Sequence, residues 1–163
     1  MGNYKIETFI QEEYEELVER DYLVRYAVAA LEAEGVAGPL ELGIAVVDDE
    51  QVQELNRQYR GLDEPTDVLS FAMDEANDAE DQTGDTFVSA PDGVLHLGEV
   101  IIAYPFSLRE AISGGRFIDK HIAHLVVHGI LHILAYDHEE PEDEKVMRAR
   151  EEAVLGWPVY YPE

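Results

Sequence analysis

The chain contains no cysteine. That excludes a disulfide framework and any thiolate metal site, so a metal would have to be held by histidine nitrogen and carboxylate oxygen. Cations are scarce: 11 Lys plus Arg stand against 36 Asp plus Glu, a formal net charge of -25. A field of that sign repels nucleic acid at long range, so an RNA- or DNA-binding role needs the few cations gathered at one site. Long apolar runs are missing as well. No stretch approaches the ~18 residues that read as a membrane span. The acidic opening, MGNYKIETFIQEEYEELVER, lacks the basic-then-apolar pattern of a secretion signal. Ile6 stands where a myristoylation motif wants Ser or Thr. The expectation is a cytoplasmic protein without membrane contact.

What is present fits one domain over 1–163, with 46% hydrophobic residues to fill a core. YKIETFI has strand composition, and a helix follows from Glu12 or Leu17 to Glu34, ended by GVAGP. LELGIAVVD reads as a strand. Asp48 or Asp49 caps the helix DEQVQELNRQYR, on which Val52, Leu55 and Tyr59 share a face. DVLSFAM and VLHLGEVIIA are further strands, and PFSLREAI begins a helix with Pro105 in its first turn. Residues 74–93 carry seven acids and no Lys or Arg, which reads as a surface loop. A long helix from about Phe117 to Leu134 and a last one from Pro141 to Leu155 complete an α+β chain of about four strands.

Five of the six histidines matter most. His121, His124, His128 and His132 fall on one stripe of the long helix. Two imidazoles at i and i+4 converge above a helix surface, as two metal ligands must. His138 closes a three-ligand site if the chain leaves the helix near Ala135, and Asp137 with EEPED fits such a break. Three neutral imidazoles and an open position make a catalytic zinc centre, one ion per chain, whereas a structural site has a fourth protein ligand. His121 and His124 are expected to hydrogen-bond around the ligands or line the cleft. The spacing also occurs in metzincin peptidases, but there a Glu follows the first His as general base. Here it is Gly129, which cannot take a proton.

The segment HGILHILAYDH resembles HGxLHLxGYDH, the metal signature of the YbeY family of metal-dependent endoribonucleases. LNRQYRGLDEPTDVLSF, from Leu55 to Phe71, resembles that family's LNxxYRxxDxPTDVLSF, and LGEVII resembles LGDIxI. The blocks occur in family order from about Ile6 to Leu155. The resemblance implies a zincin-like α+β fold, a small mixed sheet packed against the metal-bearing helix. It implies that His128, His132 and His138 bind zinc and that Arg60 is catalytic. It also implies a substrate of single-stranded RNA, including ribosomal RNA near the 16S 3′ end, and the small ribosomal subunit as partner. Three departures stand out: Ala135 for Gly, Glu99 for Asp, and the long acidic segment.

Phosphodiester hydrolysis needs charge stabilisation that zinc and a bidentate guanidinium supply. The cations available to bind RNA are Arg57, Arg60, Arg109, Arg116 and Lys120. So thin a supply implies weak binding to free RNA and delivery by a protein partner or the ribosome. Asp63 and Asp67 are expected to shape the Arg60 loop, and Glu99 and Asp137 are the nearest candidates for a general base. The rival readings are a zinc peptidase and a metal-stabilised ribosome-binding module without catalysis.

Overall fold

In LELGIAVV, alternation sends Leu40, Leu42, Ile44 and Val46 to one side of a strand and Ala45 and Val47 to the other. Both sides are apolar, so this strand belongs inside a sheet with both faces covered. The computed structural model, which describes residues 3–72, 94–134 and 141–159, places it there. Strands β1 (Tyr4–Ile10), β2 (Leu40–Val47), β3 (Val68–Ala72) and β4 (Leu95–Ala103) form one sheet in the order β1-β2-β4-β3. The pairs β1/β2 and β2/β4 are parallel, and β3 runs antiparallel to β4 with Ser70 opposite Val100. The α+β class and the small mixed sheet are as expected.

Helices α1 (Arg20–Ala33), α2 (Asp49–Arg60), α3 (Tyr104–Ser113), α4 (Ile118–Ile133) and α5 (Pro141–Leu155) surround the sheet. The first begins later than the sequence suggests; Glu12–Tyr14 is instead a single 3-10 turn. One sheet face carries the main core. There Leu23, Ala27, Ala30 and Leu31 of α1 join Ile122, Val126, Ile130 and Leu131 of α4 against Leu42, Ile44, Val100 and Ile102. The other face carries a smaller core in which Val52 of α2 meets Leu69, Ile101 and Ala103.

Helix α4 is buried on nearly every side, because α1, α3, α5, β3 and β4 all pack on it. Gly129 sets how close it lies to the sheet: a Cβ there would meet Val100 Cγ1 at 2.8 Å. Helix α2 starts on an Asp48 carboxylate that accepts from the Gln51 amide at 2.9 Å. It ends on Gly61, whose φ of 72° is the left-handed conformation that stops a helix and fixes where Arg60 leaves it. Among the described residues no helix is long and apolar enough to cross a membrane.

Candidate metal centre

The histidine stripe of α4 opens onto a cavity of about 530 Å³, whose facing wall is the loop and edge strand Glu64–Ser70. His121, His124, His128 and His132 all line it, as do Arg60 and Arg116. The cavity therefore gathers two of the expected zinc ligands, the expected catalytic arginine and one further candidate cation. His138 lies outside the described residues, as do Ala135, Asp137 and the acidic segment 74–93.

Beneath the histidines lies Glu151 of α5, with 0% exposure. One oxygen is 3.0 Å from His124 Nε2 and the other 2.6 Å from His128 Nδ1. Burial alone would push this carboxyl up, but the hydrogen bonds and charges of His124 and His128 outweigh it and hold the group down to about 2. Ionised, Glu151 accepts from both rings. His128 then carries its proton on Nδ1 and keeps the Nε2 lone pair, the state a metal-binding histidine needs. His132 stands one turn on, its ring centroid 6.3 Å from that of His128.

His124, His128 and Glu151 bring ligand atoms within 4.8 Å of one another, so this group could hold a metal ion. A separation of 2.6 Å is that of a charge-assisted hydrogen bond. It is too short for two atoms each bonded at ~2.0–2.1 Å to one tetrahedral ion between them. Glu151 therefore orients His128 in this geometry, and the atoms suited to the ion are the outward nitrogens of the stripe.

Arg60 leaves the end of α2 towards the edge strand. Its guanidinium donates to the Ser70 carbonyl at 3.1 Å and lies 5.6 Å above the Phe71 ring. The remaining candidates divide. Arg116 lies in the cavity wall, whereas Arg57 pairs with Glu54, Arg109 reaches Asp49 at 2.7 Å, and Lys120 sits 5.0 Å over Trp157. None of these last three lines the cavity. Glu99 is exposed beside Gly43, on a residue adjacent to the helix-facing Val100, and it too is absent from the lining. Asp63 accepts from Gln53 at 2.9 Å, and Asp67 accepts from the Val68 amide at 2.7 Å, which shapes the loop after Arg60.

Glu151 escaped sequence reasoning. The available signal was its place in the stripe Met147, Glu151, Leu155, an acid where the helix buries apolar residues. Glu110 escaped too. Its carboxylate lies 3.1 Å from His121 Nε2 and beside Asp67, in the same cavity wall.

The chain matches the family model described as endoribonuclease YbeY over residues 5–156. A protein of that description from Dehalococcoides mccartyi is 39% identical over 151 residues, 93% of this chain and 88% of the relative. The Roseiflexus castenholzii protein is 43% identical over 145 residues, 88% and 86% of the two chains. The Moorella thermoacetica protein is 45% identical over 134 residues, covering 82% and 83%. A solution structure from Thermotoga maritima superposes with a TM-score of 0.54 over 93% of this chain and 89% of that one, at 24% identity, a likeness of fold. By sequence, the chain belongs to the endoribonuclease YbeY family.

Proposed function

We propose that this chain is a single-domain, zinc-dependent endoribonuclease that cuts single-stranded RNA and acts in ribosomal RNA maturation, at the 16S 3′ end, and in ribosome quality control. One observation carries the reading: buried Glu151 fixes His128 in the metal-binding tautomer, in the cavity that also receives Arg60. His128, His132 and His138 would hold the ion. Zinc supplies Lewis acidity towards water and towards a phosphoryl oxygen.

The chain's own residues supply the rest. Arg60 presents a planar fork able to grip two non-bridging oxygens at once. Phe71 and the Ser70 carbonyl limit its motion, so less side-chain entropy is lost on binding. Arg116 adds positive charge farther along the wall. With Arg57 and Arg109 already paired to acids, affinity for free RNA is low, and the small ribosomal subunit or a protein partner delivers the substrate. The cytoplasm is its expected place, without membrane contact.

A peptidase of the metzincin kind does not fit. A Cβ at position 129 would lie 2.8 Å from Val100 Cγ1, so the glutamate that serves those peptidases as general base after the first histidine has no room there.

The test compares the metal-loaded protein, the chelated protein and two variants on a short single-stranded RNA. Arg60→Ala is expected to keep the metal and the fold and lose cleavage; Arg60→Lys is expected to recover little, since a point charge does not replace a bidentate fork. Full cleavage after chelation, or by Arg60→Ala, would overturn the mechanism. Intact metal and fold without any RNA cleavage by the unaltered protein would favour the binding module.

A further inference from the structure

The cavity holds a second group of side chains that the metal reading leaves unused. Asp67, Glu110, Arg116 and His121 line it together. His121 precedes His128 by seven residues, which at 1.5 Å per residue sets it about 10 Å away along the helix. The group therefore faces a part of the substrate other than the atoms at the metal.

Asp67, Glu110 and His121 bring ligand atoms within 4.8 Å of one another, a set that could attract a divalent ion. The proton positions argue against it. A guanidinium only donates, and Arg116 Nη1 lies 3.3 Å from His121 Nδ1. That nitrogen must be the acceptor, so the ring proton sits on Nε2 and points at Glu110 Oε1, 3.1 Å away. A protonated Nε2 has no lone pair to give a metal. Glu110 in turn stands beside Asp67, with ligand atoms of the two within 4.8 Å of each other, and burial together with Glu110 raises Asp67 to about 6, so the pair shares a proton below that pH. Below that pH the chain of contacts balances one guanidinium charge against one negative charge on the carboxyl pair. It is a polar station with no excess of positive charge.

We propose that this station binds a ribose 2′-hydroxyl of the RNA strand, away from the bond that is cut, and so contributes to the choice of RNA over DNA. The proposal rests on the cavity being an RNA groove. A hydroxyl both donates and accepts. Glu110, with 29% of its side chain exposed, offers the acceptor, and the Arg116 guanidinium offers the donor. A phosphate fits poorly beside a carboxylate. Glu110 therefore offers an acceptor that a ribose hydroxyl can satisfy and a deoxyribose cannot.

The experiment is equilibrium binding, by fluorescence anisotropy, of short single strands to the zinc-loaded protein. The RNA strand and its all-deoxy counterpart carry the same bases, uracil included. The unaltered protein is expected to prefer RNA by about fivefold, the worth of one hydrogen bond. A single deoxy substitution at one position should account for most of that preference. Glu110→Gln should lower it to under about twofold, while Asp67→Asn, whose amide replaces the shared proton as donor, should keep it. Equal affinity for the two strands in the unaltered protein, or an unchanged preference in folded Glu110→Gln, overturns the proposal. So does manganese uptake by the zinc-loaded protein that Glu110→Gln abolishes, since that would place an ion where the proton is assigned. Cleavage is not the readout, so the two readings fail separately. Preference without cleavage overturns the nuclease, and cleavage without preference overturns only the hydroxyl site.

Discussion

His128 Nδ1 and the buried Glu151 carboxylate stand 2.6 Å apart, linking the helix that carries the metal signature to the last helix of the chain. The contact decides which nitrogen of His128 faces the ion and how freely its ring turns. Glu151→Gln removes the charge while keeping the length. An amide that meets His124 and His128 must offer its nitrogen to one of them, which conflicts with a ring N–H at that place. Zinc affinity is expected to fall about 10- to 100-fold, with the fold retained. A chelator-competition titration reads this directly. Equal affinity in the two proteins would mean that Glu151 is a packing residue whose charge is incidental.

The path of α4 over the sheet depends on a glycine. Gly129→Ala places a methyl 2.8 Å from Val100 Cγ1, on a branched side chain with 0% exposure. Overpacking of this kind costs about 1–3 kcal/mol, partly offset by the ~1 kcal/mol by which Ala is the better helix former. The expected result is a lowered melting temperature and reduced zinc affinity, because His128 moves with the helix. Val100→Ala in the same chain makes room for the methyl and should restore most of the metal affinity. A single variant that melts and binds zinc as before would show that α4 can shift at no cost.

These two contacts also mark where sequence reasoning reached its limit. The strands, the long helix and the His128–His132 pair follow from periodicity and from i, i+4 spacing, which are local properties. Arg60 reaching the cavity needs the antiparallel return of β3 beside β4, and the family blocks carried that where local pattern did not. Glu151 and Glu110 come to the histidines from α5 and α3, 23 and 11 residues away along the chain. No spacing rule joins them, and an overall excess of acids hides two buried carboxylates among many solvated ones. Arg57, Arg109 and Lys120 illustrate the converse: their composition suggests RNA contacts, and tertiary packing gives each a neighbour outside the cavity.

The Asp67–Glu110 pair makes a prediction about pH. Burial raises Asp67, with the hydrogen bond and charge of Glu110 adding to it, from 3.8 to about 6, whereas Glu110 is held down, its burial outweighed by His121 and Asp67. For a carboxyl raised in the folded state, the stabilising contribution is complete below the unfolded value and is lost as pH rises through the folded one. Asp67 therefore favours folding near pH 4 relative to pH 7. Asp67→Asn fixes a donor towards Glu110 at every pH. The variant's melting temperature, relative to the unaltered protein, is expected to rise between pH 4 and pH 7, with the other groups common to both. Parallel melting curves across that range would show that the pair does not share a proton.

The charge of -25 leads to a prediction about salt. An enzyme of that charge meeting a polyanion faces long-range repulsion, which salt screens to a reach of ~8 Å at physiological ionic strength. Salt also weakens the contacts that hold phosphate, and for a basic nucleic-acid protein that second effect dominates, so binding falls steadily. Here the second effect has little to act on. Arg57 and Arg109 are paired with Glu54 and Asp49, and Arg116 stands beside Glu110 and His121, so Arg60 is the principal candidate cation at the cavity. Screening of the protein's body should therefore win up to moderate salt, and the initial cleavage rate of a short single-stranded RNA should rise before it falls. Neutralising the seven acids between Asp74 and Asp92 to Asn or Gln should flatten the rise, since it removes seven of the 36 acids. The measurement is a salt series at saturating zinc. A decline from the lowest salt onward would mean that the cavity cations, Arg60 foremost, outweigh the whole acidic surface, placing the control of RNA encounter inside the cavity.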